Sequence, residues 1–350
     1  MAASMPEASS VDLLHDSKLF DASWYLHRYP DVADAGVDPV KHYLNYGWRE
    51  GRRPYPLLTT PPAWWRFKRF VQASDVSVSG FYSRASLQSN PVVGVTVIVP
   101  VFNAPQEVAR CLTALVRHLP QNVEVLVIDD ASTDPAIAGL LEEFGACCGI
   151  TVVRHSVNMG FTKTVNEGIR LAGENDVVLL NSDTQVGPGW LTRLRYTAYK
   201  DEFTASVTAL SNNAGAFSAG SVEASSWCES PEDFELLARA VAQSGNTDRI
   251  QVPTGNGFCI YLRHACIEQV GVFDELAFPR GYGEENDWCQ RAEQSGWHHL
   301  IDASVYVYHA RNASFGIEKQ GLLANAEQVI NARYPEYRAK VSKAFAAPAL

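Results

Sequence analysis

The chain has 350 residues, of which 46% are hydrophobic, and it carries a formal net charge of -10. A chain of this length and composition can bury a large core, so we expect a folded protein of two or three domains rather than a disordered one. The acidic balance offers no basic surface for nucleic acid or for an anionic membrane. An anionic ligand would therefore need a local site or a metal ion.

The cysteine content and the apolar runs bear on the compartment. The seven cysteines are odd in number, and no two of them are spaced C-x-x-C. This usage indicates neither a disulfide framework nor a zinc site and favours a reducing, cytoplasmic compartment. No apolar run reaches the roughly 18 residues of a membrane span, and the first ten residues lack the pattern of a secretory signal. We expect a protein that is neither exported nor inserted in a membrane.

The pattern of prolines, glycines and aromatic residues divides the chain into five parts. We predict a flexible start (1–17), an aromatic-rich module of two short helices (18–54), a linker (55–93), a main domain (94–315), and a C-terminal helix and tail (316–350). The linker contains the stretch WWRFKRF. That stretch is expected to dock on the main domain, and peripheral contact with a membrane surface is the alternative.

From residue 94 onward, strand-like runs alternate with helical ones. VTVIVPVF, VEVLVIDD, ITVVRH and DVVLLNSD predict four strands, and a helical pattern follows each of them. This alternation is typical of an α/β fold in which a mostly parallel sheet is flanked by helices. Ligands of such sheets bind at the carboxyl ends of the strands, where the strand order switches.

Polar residues collect at those strand ends. Asp129 and Asp130 end the second strand, and they suit either a base N–H and ribose hydroxyls or the capping of the next turn. Asp183 ends the fourth strand and would hold a diphosphate through Mg²⁺ or Mn²⁺, which often takes only one or two protein carboxylates. The alternative for Asp183 is the N-cap of the following helix.

A second group of carboxylates begins a later predicted helix. Glu284, Glu285 and Asp287 lie in its first turn, where the helix dipole favours negative charge and would keep a general base ionised. PRGYG, just before them, predicts a flexible loop able to close over a substrate. His309 ends the strand-like run VYVYH and is either a ligand or a structural histidine.

Six blocks in this order resemble a family 2 glycosyltransferase of the GT-A fold. They are VTVIVPVFNAPQEVARCLTAL, VEVLVIDDASTD, NMGFTKTVNEGI, VVLLNSDTQVGPGWL, PTGNGFCIYLRH and GYGEENDWCQRAEQSGW, and they span residues 94–310. Neither the G-x-G-x-x-G pattern of a dehydrogenase nor a P-loop follows the first strand. The module at 18–54, marked by FDASWYLHRYPDV, resembles one found beside bacterial polysaccharide glycosyltransferases.

The resemblance implies an inverting transfer of a sugar from a UDP- or dTDP-linked donor to a hydroxyl of a glycan or lipid-linked glycan, as in bacterial surface polysaccharide synthesis. A divalent cation, Mn²⁺ or Mg²⁺, would be the cofactor, held by Asp183 and His309. Asp183 matches the last position of the family's D-x-D motif, and Asn181 stands at the first. The nucleotide would be lined by Pro100, Phe102, Asn103, Asp129, Asp130, Asn158, Gly160, Phe161, Lys163, Asn166 and Asn181.

The resemblance also assigns the reacting groups. Glu285 matches the catalytic base, with Glu284 and Asp287 beside it, and Gly255, Asn256, Gly257 and Trp288 would shape the acceptor or donor-sugar site. One base is enough, because a nucleoside diphosphate leaves already stabilised by the cation. Two other functions stay open: a catalytically silent module that binds nucleotide or glycan, and a nucleotidyltransferase, which would need a basic glycine-rich loop after the first strand. A cytoplasmic protein, with peripheral association at the inner face of the membrane as a variant, fits the enzyme interpretation.

Overall fold

The structure is a computed structural model, and it describes residues 22–47, 52, 93–120, 123–218, 234, 238, 241–242, 249–310 and 317–345. The predicted flexible start and the WWRFKRF stretch lie outside the described residues. A helix predicted around residues 232–243 is described only in part, and Phe234 and Ala238 are helical there.

The described part of the N-terminal block, residues 22–47, contains three short helices where the sequence predicted two for the block. These are α1 (Ala22–Arg28), α2 (Pro30–Asp34) and α3 (Pro39–His42), and a π-helical turn (Tyr43–Gly47) continues α3. Both α2 and α3 begin with a proline, whose fixed φ suits a first helical position. The helices share a small aromatic core, in which the buried Tyr25 lies with its hydroxyl 3.0 Å from Nδ1 of His42.

The main domain is built on one nine-stranded sheet. In chain order its strands are β1 (Val95–Val101), β2 (Glu124–Asp129), β3 (Thr151–Arg154), β4 (Asp176–Leu180), β5 (Thr184–Gln185), β6 (Thr204–Ser211), β7 (Arg249–Val252), β8 (Cys259–Leu262) and β9 (His298–His309). Along the sheet the order is β3-β2-β1-β4-β8-β6-β9-β5, and β7 pairs with β9. The pairs β1–β2, β2–β3, β1–β4 and β6–β9 are parallel, and β8 runs antiparallel to both of its neighbours.

Helices cover both faces of this sheet. The bounds are α4 (Pro105–His118), α5 (Pro135–Cys148), α6 (Phe161–Leu171), α7 (Trp190–Ala198), α8 (His264–Val270), α9 (Glu284–Gln294), α10 (Ile317–Arg333) and α11 (Tyr337–Phe345). Successive residues of β1 enter different cores: Val97 and Val99 belong to the cluster with Leu112 of α4, whereas Ile98 belongs to the cluster with Val165 of α6. A strand buried on both faces is therefore largely apolar, and the predicted α/β fold with a mostly parallel sheet is confirmed.

Some elements differ from the sequence-based expectation. The strands β5 and β7 were not predicted, and β9 extends over twelve residues where only VYVYH was expected. In the described part of the chain, no helix combines the length and apolar character needed to cross a membrane.

The strand order places a crevice at one rim of the sheet. From β1 the chain continues outward to β2 and β3, and it then returns to add β4 on the other side of β1. The carboxyl ends of β1 and β4 therefore lie side by side at a switch in strand order, where open α/β sheets bind their ligands.

Candidate active site

Asn103 joins the loops that follow β1 and β2. Its backbone N–H donates to Oγ of Ser132 (2.8 Å), and its Oδ1 accepts from the N–H groups of Thr133 (2.8 Å) and Asp134 (2.9 Å). Asn103 has φ of 58°, a left-handed conformation that asparagine adopts more readily than most residues. The turn leaves Phe102, expected beside the nucleotide, 43% exposed at the rim, and Pro100 half-buried in β1.

Asp129 is fully buried, and its carboxylate contacts the turn that follows it and the end of β3. Its Oδ1 accepts from the N–H of Ser132 (2.8 Å), and its Oδ2 lies 3.1 Å from Nε of Arg154. The turn interpretation therefore accounts for one oxygen of this carboxylate, and the guanidinium balances its charge.

Asp130 organises the loop that precedes α6. Its carboxylate accepts from the N–H groups of Met159 (2.6 Å) and Gly160 (2.9 Å), and Oδ1 lies 2.8 Å from Nδ1 of His155. Its carbonyl oxygen accepts from the side-chain amide of Asn158 (3.0 Å). Asp130 and Asn158 were expected to face the nucleotide. In the structure their polar atoms bind the protein itself, so Asp130 fixes the loop rather than presenting a free carboxylate.

His155 was not singled out in the sequence, although it links two elements of this site. Its Nε2 atom lies 2.8 Å from Oε2 of Glu167 on α6, while Nδ1 faces Asp130. Burial lowers the pKa of the imidazole, but the hydrogen bonds and charges of the two carboxylates outweigh it and raise that pKa above its usual range. His155 therefore ties the end of β2 to α6.

The start of α6 packs against the loop that was predicted to be flexible. A Cβ atom at Gly160, where φ is +86°, would lie 2.5 Å from the carbonyl oxygen of Pro279, so only glycine fits. The hydroxyl of Thr162 donates to the carbonyl of Phe278 and accepts from the N–H of Gly281 (3.3 Å). The PRGYG loop is thus docked on α6 in this structure.

Three further residues of α6 were expected to line the nucleotide. Phe161 and Lys163 are half-buried near the start of the helix. Asn166 is fully buried, and its amide donates to the carbonyl of Phe273 (2.9 Å) and accepts from the N–H of the same residue (3.0 Å). Its Nδ2 also donates to Glu275 (3.0 Å). Asn166 therefore anchors the 273–275 loop, a role that differs from the expected one.

Asp183 and His309, which the resemblance implies as metal ligands, lie together at the rim. Oδ1 of Asp183 lies 3.2 Å from Nε2 of His309, and the Asp183 side chain is 23% exposed. The alternative role for Asp183 is wrong: α7 begins at Trp190 with Gly189 as its N-cap, so Asp183 caps no helix there. Asn181, at the first position of the motif, is half-buried, and its carbonyl accepts from the N–H (3.2 Å) and hydroxyl (2.7 Å) of Thr184.

The surroundings of His309 fix which ring nitrogen carries hydrogen. Nδ1 lies 3.1 Å from the carbonyl oxygen of Asn213, which can only accept, so Nδ1 is the donor. The ring stacks on Phe258 with centroids 5.4 Å apart, and the backbone N–H donates to the side chain of Asn212 (2.7 Å). The asparagines follow β6 in the run SNNAG, a strand-end signal that the sequence analysis did not use.

This arrangement tests whether a cation fits between the two side chains. Neutral His309 has a lone pair on Nε2 that faces the carboxylate of Asp183, and two acceptors at 3.2 Å repel each other. The contact is attractive when a proton or a metal ion lies at Nε2, and a carboxylate with an imidazole whose other nitrogen is anchored suits a divalent cation. No three His, Cys, Asp or Glu side chains of the described residues form a complete metal site. The remaining ligands would be water and substrate phosphate.

Glu284 and Glu285 begin α9, where Glu284 is buried and Glu285 is half-buried. The Oε2 atom of each is buried without a hydrogen-bond partner. Burial raises the pKa of both carboxyl groups, and the charge of Glu285 raises that of Glu284 further. The helix dipole was expected to keep these groups ionised; backbone N–H groups do lower the pKa of Glu285, but burial outweighs them. An oxygen without a partner is available to accept a proton from a ligand.

The other residues assigned to catalysis or sugar binding are held by the protein. Asp287 is fully buried with ionic partners, and Trp288 lies in the core with its Nε1–H donating to Gly271 (2.9 Å). The backbone N–H of Gly255 donates to Sγ of Cys289 on α9 (3.2 Å). Asn256 and Gly257 follow Gly255 in the loop to β8. Trp288 thus packs α9 against the hydrophobic core, a role that differs from the expected contact with sugar.

Comparison with known proteins matches part of the chain to one family. The sequence model described as "Glycosyl transferase family 2" matches residues 96–251. An uncharacterized glycosyltransferase of Haemophilus influenzae is 27% identical over 112 residues, which are 32% of this chain and 35% of that protein. In three such relatives the matched stretch covers 35%, 14% and 30% of the relative's length.

Two solved structures share the fold. GalNAc-T7, crystallised with UDP, GalNAc and Mn²⁺, has a TM-score of 0.54 and 14% identity, over 73% of this chain and 52% of that one. The mannosyltransferase PcManGT of Pyrobaculum calidifontis, in complex with GDP-Man and Mn²⁺, has a TM-score of 0.50 and 18% identity, over 82% of this chain and 83% of that one. The main domain therefore has the GT-A fold.

Proposed function

Because residues 96–251 belong to glycosyltransferase family 2, we propose that the protein is a metal-dependent, inverting glycosyltransferase. Its donor is a nucleoside-diphosphate sugar linked to UDP or dTDP, and its acceptor is a hydroxyl of a glycan or lipid-linked glycan of a bacterial surface polysaccharide. A cytoplasmic protein acting at the inner face of the membrane would meet both substrates. The observation that carries the proposal is the contact between Asp183 and His309 at the rim.

The donor end of the site follows from this contact. Asp183 and His309 supply one oxygen and one nitrogen ligand, a set that leaves room for a diphosphate. When bound, the divalent cation stabilises the charge that develops on the leaving diphosphate. The exposed ring of Phe102, the turn held by Asn103 and the ordered loop before α6 would border the nucleoside.

Glu285 acts as the general base in this proposal. Its unpartnered Oε2 accepts the proton of the acceptor hydroxyl while that oxygen attacks the anomeric carbon from the face opposite the nucleotide. A single displacement of this kind inverts the anomeric configuration. Burial raises the pKa of the carboxyl towards the pH at which the enzyme works, which strengthens it as a base while ionised.

Calorimetric titration of UDP-, dTDP- and GDP-sugars tests the proposal, first with Mn²⁺ and then with EDTA. We expect one class of donor to bind with Mn²⁺ and to lose most of its affinity in EDTA. Binding that is equally tight in EDTA would contradict the metal role. Tight binding of a donor without any transfer or release of nucleotide would support the silent binding module instead.

A further inference from the structure

The C-terminal helices α10 and α11 lie outside the residues that match the family, yet they contact the helix that carries Glu285. In this C-terminal part, Arg333 and Tyr334 bind Asp287 of α9, and Lys340 binds Glu293 of α9. We call Arg333, Tyr334 and Lys340 the C-terminal clamp.

Arg333 binds two carboxylates at once. Its Nη1 atom lies 2.7 Å from Oδ1 of Asp287 on α9 and 2.9 Å from Oδ2 of Asp274 in the loop before α9. The hydroxyl of Tyr334 donates to the same Oδ1 of Asp287 (2.9 Å). The other oxygen of Asp287 accepts from Nε of Arg291 (2.9 Å), so this fully buried carboxylate is balanced from both sides.

Asp274 extends the clamp to the docked loop. Its Oδ1 accepts from the N–H groups of Leu276 (3.1 Å) and Ala277 (3.0 Å) and so shapes the turn that leads to Phe278. Phe278 packs in one apolar cluster with Ala326 and Ile330 of α10. Arg333 therefore sits where α10, the loop and the first turn of α9 meet.

Thr254, in the loop before β8, contacts the same first turn. Its hydroxyl donates to Oδ1 of Asn286 (2.9 Å). Tyr337 of α11 lies close to this turn. The charge of Glu285 is close enough to raise the pKa of the Tyr337 phenol, although burial is the larger cause. The two residues that follow Glu285, Asn286 and Asp287, are thus held by Thr254 and by the C-terminal clamp, respectively.

We propose that Arg333 is a positioning residue for the transfer reaction: by joining Asp287 to Asp274, it sets the direction in which the first turn of α9 presents Glu285. This inference rests on the proposed function. Without the guanidinium, two carboxylates face each other and Asp287 keeps Arg291 and Tyr334 as its partners. We expect a local shift of α9 rather than unfolding, and a misplaced base lowers the rate of the chemical step more than donor binding.

The position of α9 can be followed without substrate. Fluorine NMR of the full chain labelled with 5-fluorotryptophan reports on Trp288, next to Asp287, and on Trp190 in the opposite core. We expect Arg333→Ala to shift the Trp288 resonance and to leave that of Trp190 in place. Arg338→Ala is the matched control, because Arg338 is 67% exposed and pairs with Glu327 on α10. An unmoved Trp288 resonance in Arg333→Ala would overturn the positioning role.

Release of nucleotide from UDP-, dTDP- and GDP-sugars tests the catalytic consequence. For Arg333→Ala we expect kcat to fall about tenfold or more and KM to stay within about twofold of the wild-type value. Arg333→Lys should recover part of this loss, because lysine restores the charge but not the planar set of N–H donors that can bind two carboxylates. An unchanged kcat, or a rise in KM alone, contradicts the proposal. If Arg333→Ala does not fold, Arg333→Lys alone should show a smaller shift of Trp288 and a smaller fall in kcat, and no change in either overturns it. If the wild-type protein releases no nucleotide, this result contradicts the proposed function, and the inferred catalytic effect of Arg333 is contradicted with it.

Discussion

The Nε2 atom of His309 lies 3.2 Å from Oδ1 of Asp183, although one residue ends β9 and the other follows β4. The short strand β5 makes this contact possible, because Thr184 pairs with His309 in an antiparallel ladder. The carbonyl of Asn213 orients the ring so that Nε2 faces the carboxylate. Two strand ends and one asparagine loop therefore fix the geometry of the proposed metal site.

Removing the charge of Asp183 should weaken metal binding. We expect Asp183→Asn to reduce the affinity for Mn²⁺ in the presence of nucleoside diphosphate by about tenfold or more, because a carboxylate ligand becomes a neutral amide. Loss of the electron paramagnetic resonance signal of free Mn²⁺ measures this binding. Asp201→Asn is the control, since Oδ1 of Asp201 also faces a histidine Nε2, that of His298 at 3.4 Å. Equal losses in both variants would argue against a site at Asp183.

His155 should stabilise the fold in a pH-dependent way. Its folded pKa is raised, so its contribution is fully present below its unfolded pKa of about 6.5 and is lost as pH rises through the folded value. We expect His155→Gln to lower the free energy of unfolding by about 2 kcal/mol near pH 5.5 and by much less near pH 9. Urea unfolding at both pH values measures the difference, with the exposed His27→Gln as control. A loss that grows with pH would contradict the bridge to Asp130 and Glu167.

Two helical glycines should respond in opposite directions to alanine. A Cβ atom at Gly168 of α6 would lie 2.6 Å from Cγ2 of Ile98, so Gly168→Ala should cost about 1–3 kcal/mol of unfolding free energy through overpacking. Gly139 of α5 has no such neighbour within 4 Å, and Gly139→Ala should stabilise by about 0.5–1 kcal/mol through helix propensity. Thermal or urea unfolding measures both. A Gly168→Ala protein as stable as wild type would show that the contact between α6 and β1 is looser than described.

The sequence predicts the sheet well where burial is two-sided. The strand β4 is buried at all five positions, and after Asp176 it is an uninterrupted apolar run followed by polar residues. The sequence does not predict a short strand of mixed polar and apolar residues such as β7 (RIQV), because the pairing of β7 with β9 depends on residues distant in the chain.

Side-chain partners at the site were largely beyond sequence patterns. A carboxylate at a strand end looks the same whether it faces a ligand or, like Asp130, accepts from a loop some thirty residues later. Asp287 likewise shares its helical turn with Glu284, but its direction is set by Arg333 on a helix outside the recognised blocks. Residues that look equivalent from their spacing in the sequence therefore differ in their tertiary contacts.

The most direct test of the central claim is the release of nucleotide from the donor that calorimetry identifies, measured against pH for the wild type and for Glu285→Gln. We expect the rate of nucleotide release by the wild type to fall as pH drops through the raised pKa of the Glu284–Glu285 pair. We expect this rate to be about 10²-fold or more lower in Glu285→Gln. Glu268→Gln, on the exposed side of α8, should behave as wild type. A Glu285→Gln enzyme as active as wild type across that pH range would contradict the assignment of Glu285 as the base.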